Sequence, residues 1–281
     1  MTPPPKRSRP QGGSRGGDPR RYGARNTERR QGPRPPELGG DQVEGRRAVL
    51  ALLTSGTRPV QRVAMAAELE SSPQLDEIEA ICRKKRVPLD VIPRARLERL
   101  ATTESHQGVV AKARELRPVL LDDLLAAPGT PFLLLCDGLT DPHNLGSLLR
   151  SADGAGVTGV VLPRHRSVRI TPTVAKVAAG AIEHLTFATV PGIPTALDQL
   201  AKAGVEVIGL AGEASKDLYD IDVSSRPVAI VVGSEERGLA ALSRKRCTEL
   251  ASIPQLGKVE SLNASVAGAV ALFEVARQRR R

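Results

Sequence analysis

From Pro131 onward the chain alternates short apolar runs with stretches of helical periodicity, and few folds accept that alternation. Phe132–Cys136 is an unbroken apolar run closed by Asp-Gly, and Val228–Val232 is a second, β-branched one. Around them the spacing predicts helices over Asn144–Gly156, Pro172–Ala181, Pro194–Ala203, Gly238–Arg246 and Asn263–Arg279. Further strands are predicted over Gly159–Leu162, Leu185–Val190, Val205–Ala211 and Leu250–Ile253. Strands that are apolar throughout and separated by helices belong to a mostly parallel sheet covered on both faces. In such an α/β sheet, ligands bind beyond the carboxyl ends of the strands. Chemistry is therefore expected just after Cys136, Val232 and Ile253.

A shorter alternation precedes it. Residues 46–54 read as a helix with Val49, Leu50 and Leu53 inward, and Val60–Ala66 as a strand. Gln74–Arg86 places Leu75, Ile78, Ile81 and Cys82 at 3.6-residue spacing. Val87–Val91, a helix from Pro93 to Leu100, and a strand over Gly108–Ala113 complete the unit. We divide the chain into a basic tail (1–44), a small α/β unit (45–117), a linker (118–130) with a short helix near Leu120–Ala127, and a larger unit (131–281).

The charge is uneven. The chain carries 41 Lys and Arg against 31 Asp and Glu, a net of +10. Residues 1–36 hold ten of the basic residues and two of the acids, with eight Pro, six Gly and almost nothing apolar. Such a segment cannot bury enough surface to offset its ordering entropy, so it is expected to be disordered. A solvated cationic arm attracts polyanions through counterion release; the alternative is a solubilising tail. A second basic cluster, Arg277 and Arg279–Arg281, closes the chain.

Several function classes drop out. Aromatics are 2% of the residues, too few for a stacking platform that binds single strands. Cys82, Cys136 and Cys247 stand far apart, so neither a disulfide framework nor a Cys-rich zinc site is expected, and a reducing cytoplasm fits. The four His show no H-E-x-x-H spacing, and no metal site is expected. No apolar run approaches 18 residues and no apolar leader opens the chain, so no membrane span or signal peptide is expected.

Three loops remain as candidates. The first runs from Asp137 through Asp141-Pro-His-Asn144-Leu-Gly146 to Arg150, with Asn144 placed as a helix N-cap. The second is Gly233-Ser-Glu235-Glu-Arg-Gly238, where Gly233 leaves room for a ligand to approach the backbone and the acids suit a helix start. The third runs from Ile253-Pro254 to Ser261-Leu262-Asn263, where Ser261 or Asn263 caps the last helix. Read singly, each loop is equally a capped helix with solvated charges. None is a P-loop, and no G-x-G-x-x-G follows a strand, which disfavours nucleotide hydrolysis and dinucleotide chemistry.

Taken together, in order and spacing, the three loops resemble the motifs of the SpoU branch of the SPOUT RNA 2'-O-methyltransferases over Pro131–Arg281. The small unit, with His106-Gln107-Gly108-Val109-Val110-Ala111 near its end, resembles the substrate-binding domain of the bacterial 23S rRNA guanosine enzymes. The basic tail departs from the family pattern. The resemblance implies an α/β domain with a C-terminal trefoil knot, a homodimer, and S-adenosylmethionine as cofactor. It implies that Gly233, Ile253 and Leu262, with Leu210 and Ala211 nearby, hold the cofactor. It assigns Arg150 to the ribose hydroxyl, with Asn144, Glu235, Ser261 and Asn263 arranging the site. A six-residue separation does not by itself bring Asn144 and Arg150 to one helix face. A tRNA guanosine, an rRNA adenosine, or a non-catalytic rRNA-binding role on the same fold remain alternatives to a guanosine of 23S rRNA.

Overall fold

The structure, a computed structural model, describes residues 1–2, 38–165, 167–259 and 261–280. The expectations for the tail up to residue 37, and for Arg281 in the terminal basic cluster, lie outside the described residues.

Two sheets are formed. The first contains β1 (Gln42–Glu44), β2 (Val60–Ala66), β3 (Leu89–Ile92) and β4 (Val109–Ala113), in the order β1-β4-β2-β3. The second contains β5 (Phe132–Asp137), β6 (Gly159–Pro163), β7 (Phe187–Val190), β8 (Glu206–Leu210), β9 (Lys216–Asp217), β10 (Val228–Gly233) and β11 (Glu249–Ser252). Its order is β7-β6-β5-β10-β8-β11-β9, and every pairing is parallel. The helices are α1 (Arg46–Ser55), α2 (Pro73–Lys85), α3 (Arg94–Leu100), α4 (Leu121–Leu125), α5 (Pro142–Ala155), α6 (Pro172–Val177), α7 (Ile193–Lys202), α8 (Ala241–Arg246) and α9 (Ala264–Arg279).

The large sheet is buried on both faces because its central strands are apolar at every position. Successive side chains point to opposite faces. Phe132, Leu134 and Cys136 join Val228, Ile230 and Val232 in the core beneath α5 and α9. Leu133 and Leu135 join Ala229 and Val231 in the core beneath α7. Small residues let the helices come close. A Cβ on Gly146 of α5 would lie 2.6 Å from Val177 Cβ of the neighbouring α6, and one on Gly268 of α9 would lie 2.5 Å from Leu148 Cδ1 of α5.

The folded body starts earlier than the sequence suggested. Residues 38–44, assigned above to the tail, include buried Leu38 and the strand β1, whose Val43 pairs with Ala111. Gly40 N–H donates to Ile170 O at 2.8 Å, and Ile170 N–H donates to Leu38 O at 3.0 Å. Three residues, two of them polar, carry too little periodicity to announce a strand. Glu44 is nevertheless fully buried, accepting hydrogen bonds from Gln42, from the Thr102 and Thr103 backbone N–H groups and from the Thr103 hydroxyl. Burial alone would raise its pKa; the hydrogen bonds outweigh this and hold the carboxyl below its ordinary value.

The segment read as a linker also packs. Leu121 and Leu124 of α4 enter the core beneath α7, and Val119 bridges to Ala188. A buried Arg58 fastens the small sheet to the large one. Its guanidinium donates to Glu183 Oε2 at 2.9 Å and Oε1 at 2.6 Å, to Gly40 O, and to Arg114 O at 2.7 Å. It thus grips both chain segments that lead out of the small sheet.

Candidate functional site

Strand register brings the three loops together. Val232 pairs with Cys136 and Gly233 with Asp137, so the chain leaves β10 beside the exit from β5. On the other side β8 pairs with β10 and β11, setting Leu210 beside Ala251. The carboxyl ends of β5, β10, β8 and β11 therefore form one rim.

A cavity of about 550 Å³ opens at this rim. Gly233, Ile253, Leu262, Leu210 and Ala211, the five residues assigned to the cofactor, all line it, as does Ser261. The walls are mainly apolar or backbone, with an ion pair between Glu213 and Arg244. The Arg244 guanidinium holds the Glu213 carboxyl below its ordinary range. Volume and lining suit a nucleoside-sized ligand with one charged end.

Gly233 is required for a reason other than the one expected. A Cβ there would lie 2.2 Å from Gly238 C and 2.4 Å from Leu239 N. The loop folds back on its own strand end, Ser234 and Gly238 exchanging backbone hydrogen bonds of 3.0 and 2.9 Å. Asp137 secures the same loop, its carboxylate accepting from Ala240 N–H at 2.9 Å. Glu235 and Glu236 thus sit in a turn, and not at a helix start as predicted; α8 begins only at Ala241.

Asn144 does not cap its helix. Asp141 does, its carboxylate accepting from His143 N–H at 3.0 Å, with Pro142 in the first turn. Asn144 lies one turn in and is buried, so its amide is free for a different task. Its Nδ2 donates to Glu235 Oε1 at 2.6 Å, and its Oδ1 accepts from Asn263 Nδ2 at 2.9 Å. Asn263 Nδ2 also donates to Glu235 Oε1. Asn263 is the true cap of α9: its Oδ1 accepts from Ser265 N–H at 2.9 Å, Ser265 Oγ at 2.7 Å and Val266 N–H at 3.2 Å. These contacts fix both amide orientations and leave Glu235 as a carboxylate accepting twice. The trio clasps the three loops beside the cavity, and Glu235 is committed to it instead of being poised as a base.

Arg150 and Ser261 stand outside the trio. Ser261 is exposed at the cavity edge. Arg150 lies further along α5, exposed, in a crevice between the two sheets that also contains Arg46, Arg47 and Lys176. Within one chain, the structure does not bring Arg150 to Asn144. Cys136, next to the rim, is no nucleophile: burial pushes its thiol up to about 12.

Asp137, Ser265 and the Glu213–Arg244 pair were missed from sequence. Asp137 ends an apolar strand at Asp-Gly and was read only as punctuation. Glu213 and Arg244 sit 31 residues apart, with nothing in their spacing to pair them.

Comparison with known proteins follows this geometry. The description "SpoU rRNA Methylase family" matches residues 131–273, and "RNA 2'-O ribose methyltransferase substrate binding" matches residues 42–119. The chain belongs to the SpoU rRNA methylase family. Among its relatives is the 23S rRNA (guanosine-2'-O-)-methyltransferase RlmB of Ralstonia nicotianae, 45% identical over 239 residues, 84% of this chain and 94% of that protein. The RlmB of Pseudomonas putida is 38% identical over 244 residues, 85% of this chain and 97% of that one. Among solved structures, the SpoU methyltransferase AviRb from Streptomyces viridochromogenes in complex with AdoMet superposes with a TM-score of 0.73 at 26% identity. That match covers 85% of this chain and 90% of AviRb. SpoU family membership accounts for the fold: a large parallel α/β sheet preceded by a small substrate-binding unit. Among the described residues no cluster of three or more His, Cys, Asp or Glu could hold a metal ion, and no helix is long and apolar enough to cross a membrane.

Proposed function

We propose that this SpoU protein is an S-adenosylmethionine-dependent RNA 2'-O-methyltransferase whose target is a guanosine of 23S rRNA. The observation that carries the reading is the meeting of Asn144, Glu235 and Asn263 beside the cavity that Gly233, Ile253 and Leu262 line. The names of the full-length relatives support the choice of 23S rRNA and guanosine. Work on ribosomal RNA agrees with a cytoplasmic location.

When bound, the cofactor supplies a methyl group activated by a sulfonium. The chain must seat it, orient the ribose and ease loss of the hydroxyl proton. Leu210, Ala211, Ile253 and Leu262 would enclose the apolar part of the cofactor, and the Gly233–Gly238 turn would border it. The Asn144–Glu235–Asn263 clasp keeps these loops in register before anything binds. Arg150 would stabilise the developing alkoxide at the 2'-oxygen. A free guanidinium is a poor base, since its pKa exceeds about 12, so an RNA phosphate shares the proton's removal.

Arg150 can serve such a site only if a second copy brings it there. Val266 and Phe273 of α9 are 48% and 49% exposed, and with half-buried Val270 they form a stripe at helical spacing. Phe273 borders Gly154 of α5, the helix that carries Arg150. This face is the homodimer contact we propose, with Arg150 of one chain completing the site of the other. The trefoil knot of the C-terminal segment belongs to the same reading.

The test is single-turnover methylation of a 23S rRNA fragment at saturating cofactor. Arg150→Ala should fold, dimerise and bind S-adenosylmethionine by calorimetry, yet transfer methyl at least about 100-fold more slowly. Arg150→Lys should also be poor, because a point charge cannot reproduce the planar fork. Near wild-type transfer by Arg150→Ala would overturn the assignment. No cofactor binding by the wild-type dimer would overturn the enzyme reading in favour of a non-catalytic rRNA-binding role.

A further inference from the structure

The crevice that contains Arg150 has a volume of about 670 Å³ and lies between α1, the Gln107 turn and the start of α6's C-terminal turn. Four cations reach it from three helices: Arg46 and Arg47 of α1, Arg150 of α5 and Lys176 of α6. Among the described residues the one acid in its lining is Glu44, whose carboxylate is buried and already bound by Gln42, Thr102 and Thr103. Arg47 and Arg150 are exposed and have no hydrogen-bond or ion-pair partner among the described residues. Gathering like charges without counter-charges does nothing for the fold; it raises the local concentration of an anionic ligand.

The crevice is also built to hold its shape. Gln107 and Ala179 have φ of 55° and 52°, and they are two of the three non-glycine residues in the left-handed region among the described residues. Such backbone is uncommon and persists where the surroundings enforce it. Gln107 uses it to hold Arg46: its Oε1 accepts from Arg46 N–H at 3.0 Å and its carbonyl from Arg46 Nε at 3.2 Å. Arg46 Nη1 donates in addition to Ser72 Oγ at 3.2 Å. Lys176 Nζ donates to Ser105 Oγ across the two sheets. Two cations are thus fixed in place and two are left free to pair.

We infer that this crevice is the track for an RNA sugar–phosphate backbone, with Arg46 and Lys176 as fixed walls and Arg47 and Arg150 as the phosphate contacts. This deepens the reading above and rests on it. The sequence His106-Gln107-Gly108 gains a role by the same argument: it shapes the wall that presents Arg46, and touches no base. A polyanion of regular charge spacing fits an open crevice with cations on several sides, where a small apolar ligand would not.

Charge reversal tests the track without touching the cofactor cavity. The double variant Arg47→Glu/Lys176→Glu and its neutral counterpart Arg47→Gln/Lys176→Gln are compared with wild type by anisotropy on a labelled 23S rRNA fragment between 50 and 200 mM salt. The reversed variant should bind at least about 10-fold more weakly. The slope of log K against log salt should become shallower by roughly two, since each lost phosphate contact removes a little under one. The neutral variant should fall between, with an unchanged melting temperature, and calorimetry should show S-adenosylmethionine binding unaltered in both. Equal affinity and slope in all three proteins would overturn the inference. Weaker binding to intact ribosomal subunits with unchanged binding to naked RNA would also overturn it, assigning the crevice to a protein partner. Loss of cofactor binding in wild type would instead sink the enzyme reading and leave the track testable by the same anisotropy.

Discussion

The two concave sites of this chain are made of opposite materials. The cavity at the strand ends is built from backbone, small residues and apolar side chains, and its polar groups satisfy one another: Asn144, Glu235 and Asn263 leave Glu235 doubly hydrogen-bonded. The crevice between the sheets is built from cations, two of which lack partners. A finished, internally paired site binds by shape, so its affinity depends on geometry and little on salt. A site of unpaired charge binds by counterion release, so its affinity follows salt steeply. One chain therefore separates recognition of a small cofactor from recognition of a polyanion, using surfaces that share α5.

The contrast can be broken from either side. The largest effect should come from Arg58, which holds the crevice's two halves together. Removing one partner of a buried ion pair costs about 3–5 kcal/mol. Arg58→Ala should lower the denaturation midpoint accordingly, while Arg58→Met/Glu183→Leu recovers part of the loss. At low temperature Arg58→Ala should still bind S-adenosylmethionine by calorimetry but bind RNA poorly. Equal losses of both ligands would mean that the two sites are not separable.

Gly233→Ala attacks the other side. The added methyl must displace the Gly238 backbone, an overpacking of about 1–3 kcal/mol. We expect S-adenosylmethionine affinity to drop at least about 10-fold and RNA affinity at the crevice to hold. Calorimetry and anisotropy on the same preparation measure both.

Deleting residues 1–36 removes ten basic residues and two acids. RNA binding should weaken with a shallower salt dependence, and cofactor binding should not change. An unchanged slope would show that the tail does not touch RNA, leaving the crevice as the main electrostatic contact.

The smallest effect is a pH dependence confined to the crevice side. The Glu44 carboxyl is held below its ordinary value in the folded protein, so its contribution is fully present above the unfolded pKa. It is lost as pH falls through the folded one. Amide exchange at Thr102 and Thr103 should therefore quicken in acid below the usual carboxylate range, and Glu44→Gln should remove that step. The cavity loops should show no matching change.

Much of the large unit was legible because its information is local. Unbroken runs such as Phe132–Cys136 and Val228–Val232 identify strands buried on two faces, and parallel pairing of such strands aligns their carboxyl ends. The three loops could be singled out for the same reason. Less local features were not legible. β1 is three residues whose stability comes from pairing with β4, 66 residues away at Val110. Asn144 looked like a cap because it is a capping residue type near a helix start, but Asp141 before Pro142 takes that place. That frees Asn144 for contacts with Glu235 and Asn263, residues 91 and 119 positions distant. The crevice was invisible for the strongest reason: Arg46, Arg150 and Lys176 have no sequence relation and meet only when the sheets dock.

The Arg58 fork bears on how the protein tells one RNA from another. Had the small sheet hung on a free tether, its RNA contacts and those of the large unit would act as two independent weak binders, coupled only by an effective concentration that any flexible strand could satisfy. Locking Gly40, Arg114 and Glu183 to one guanidinium removes that freedom before the encounter. The span between the two surfaces becomes a fixed ruler, and an RNA engages both only if its own fold already has the matching span. Selection by shape would then precede any reading of bases.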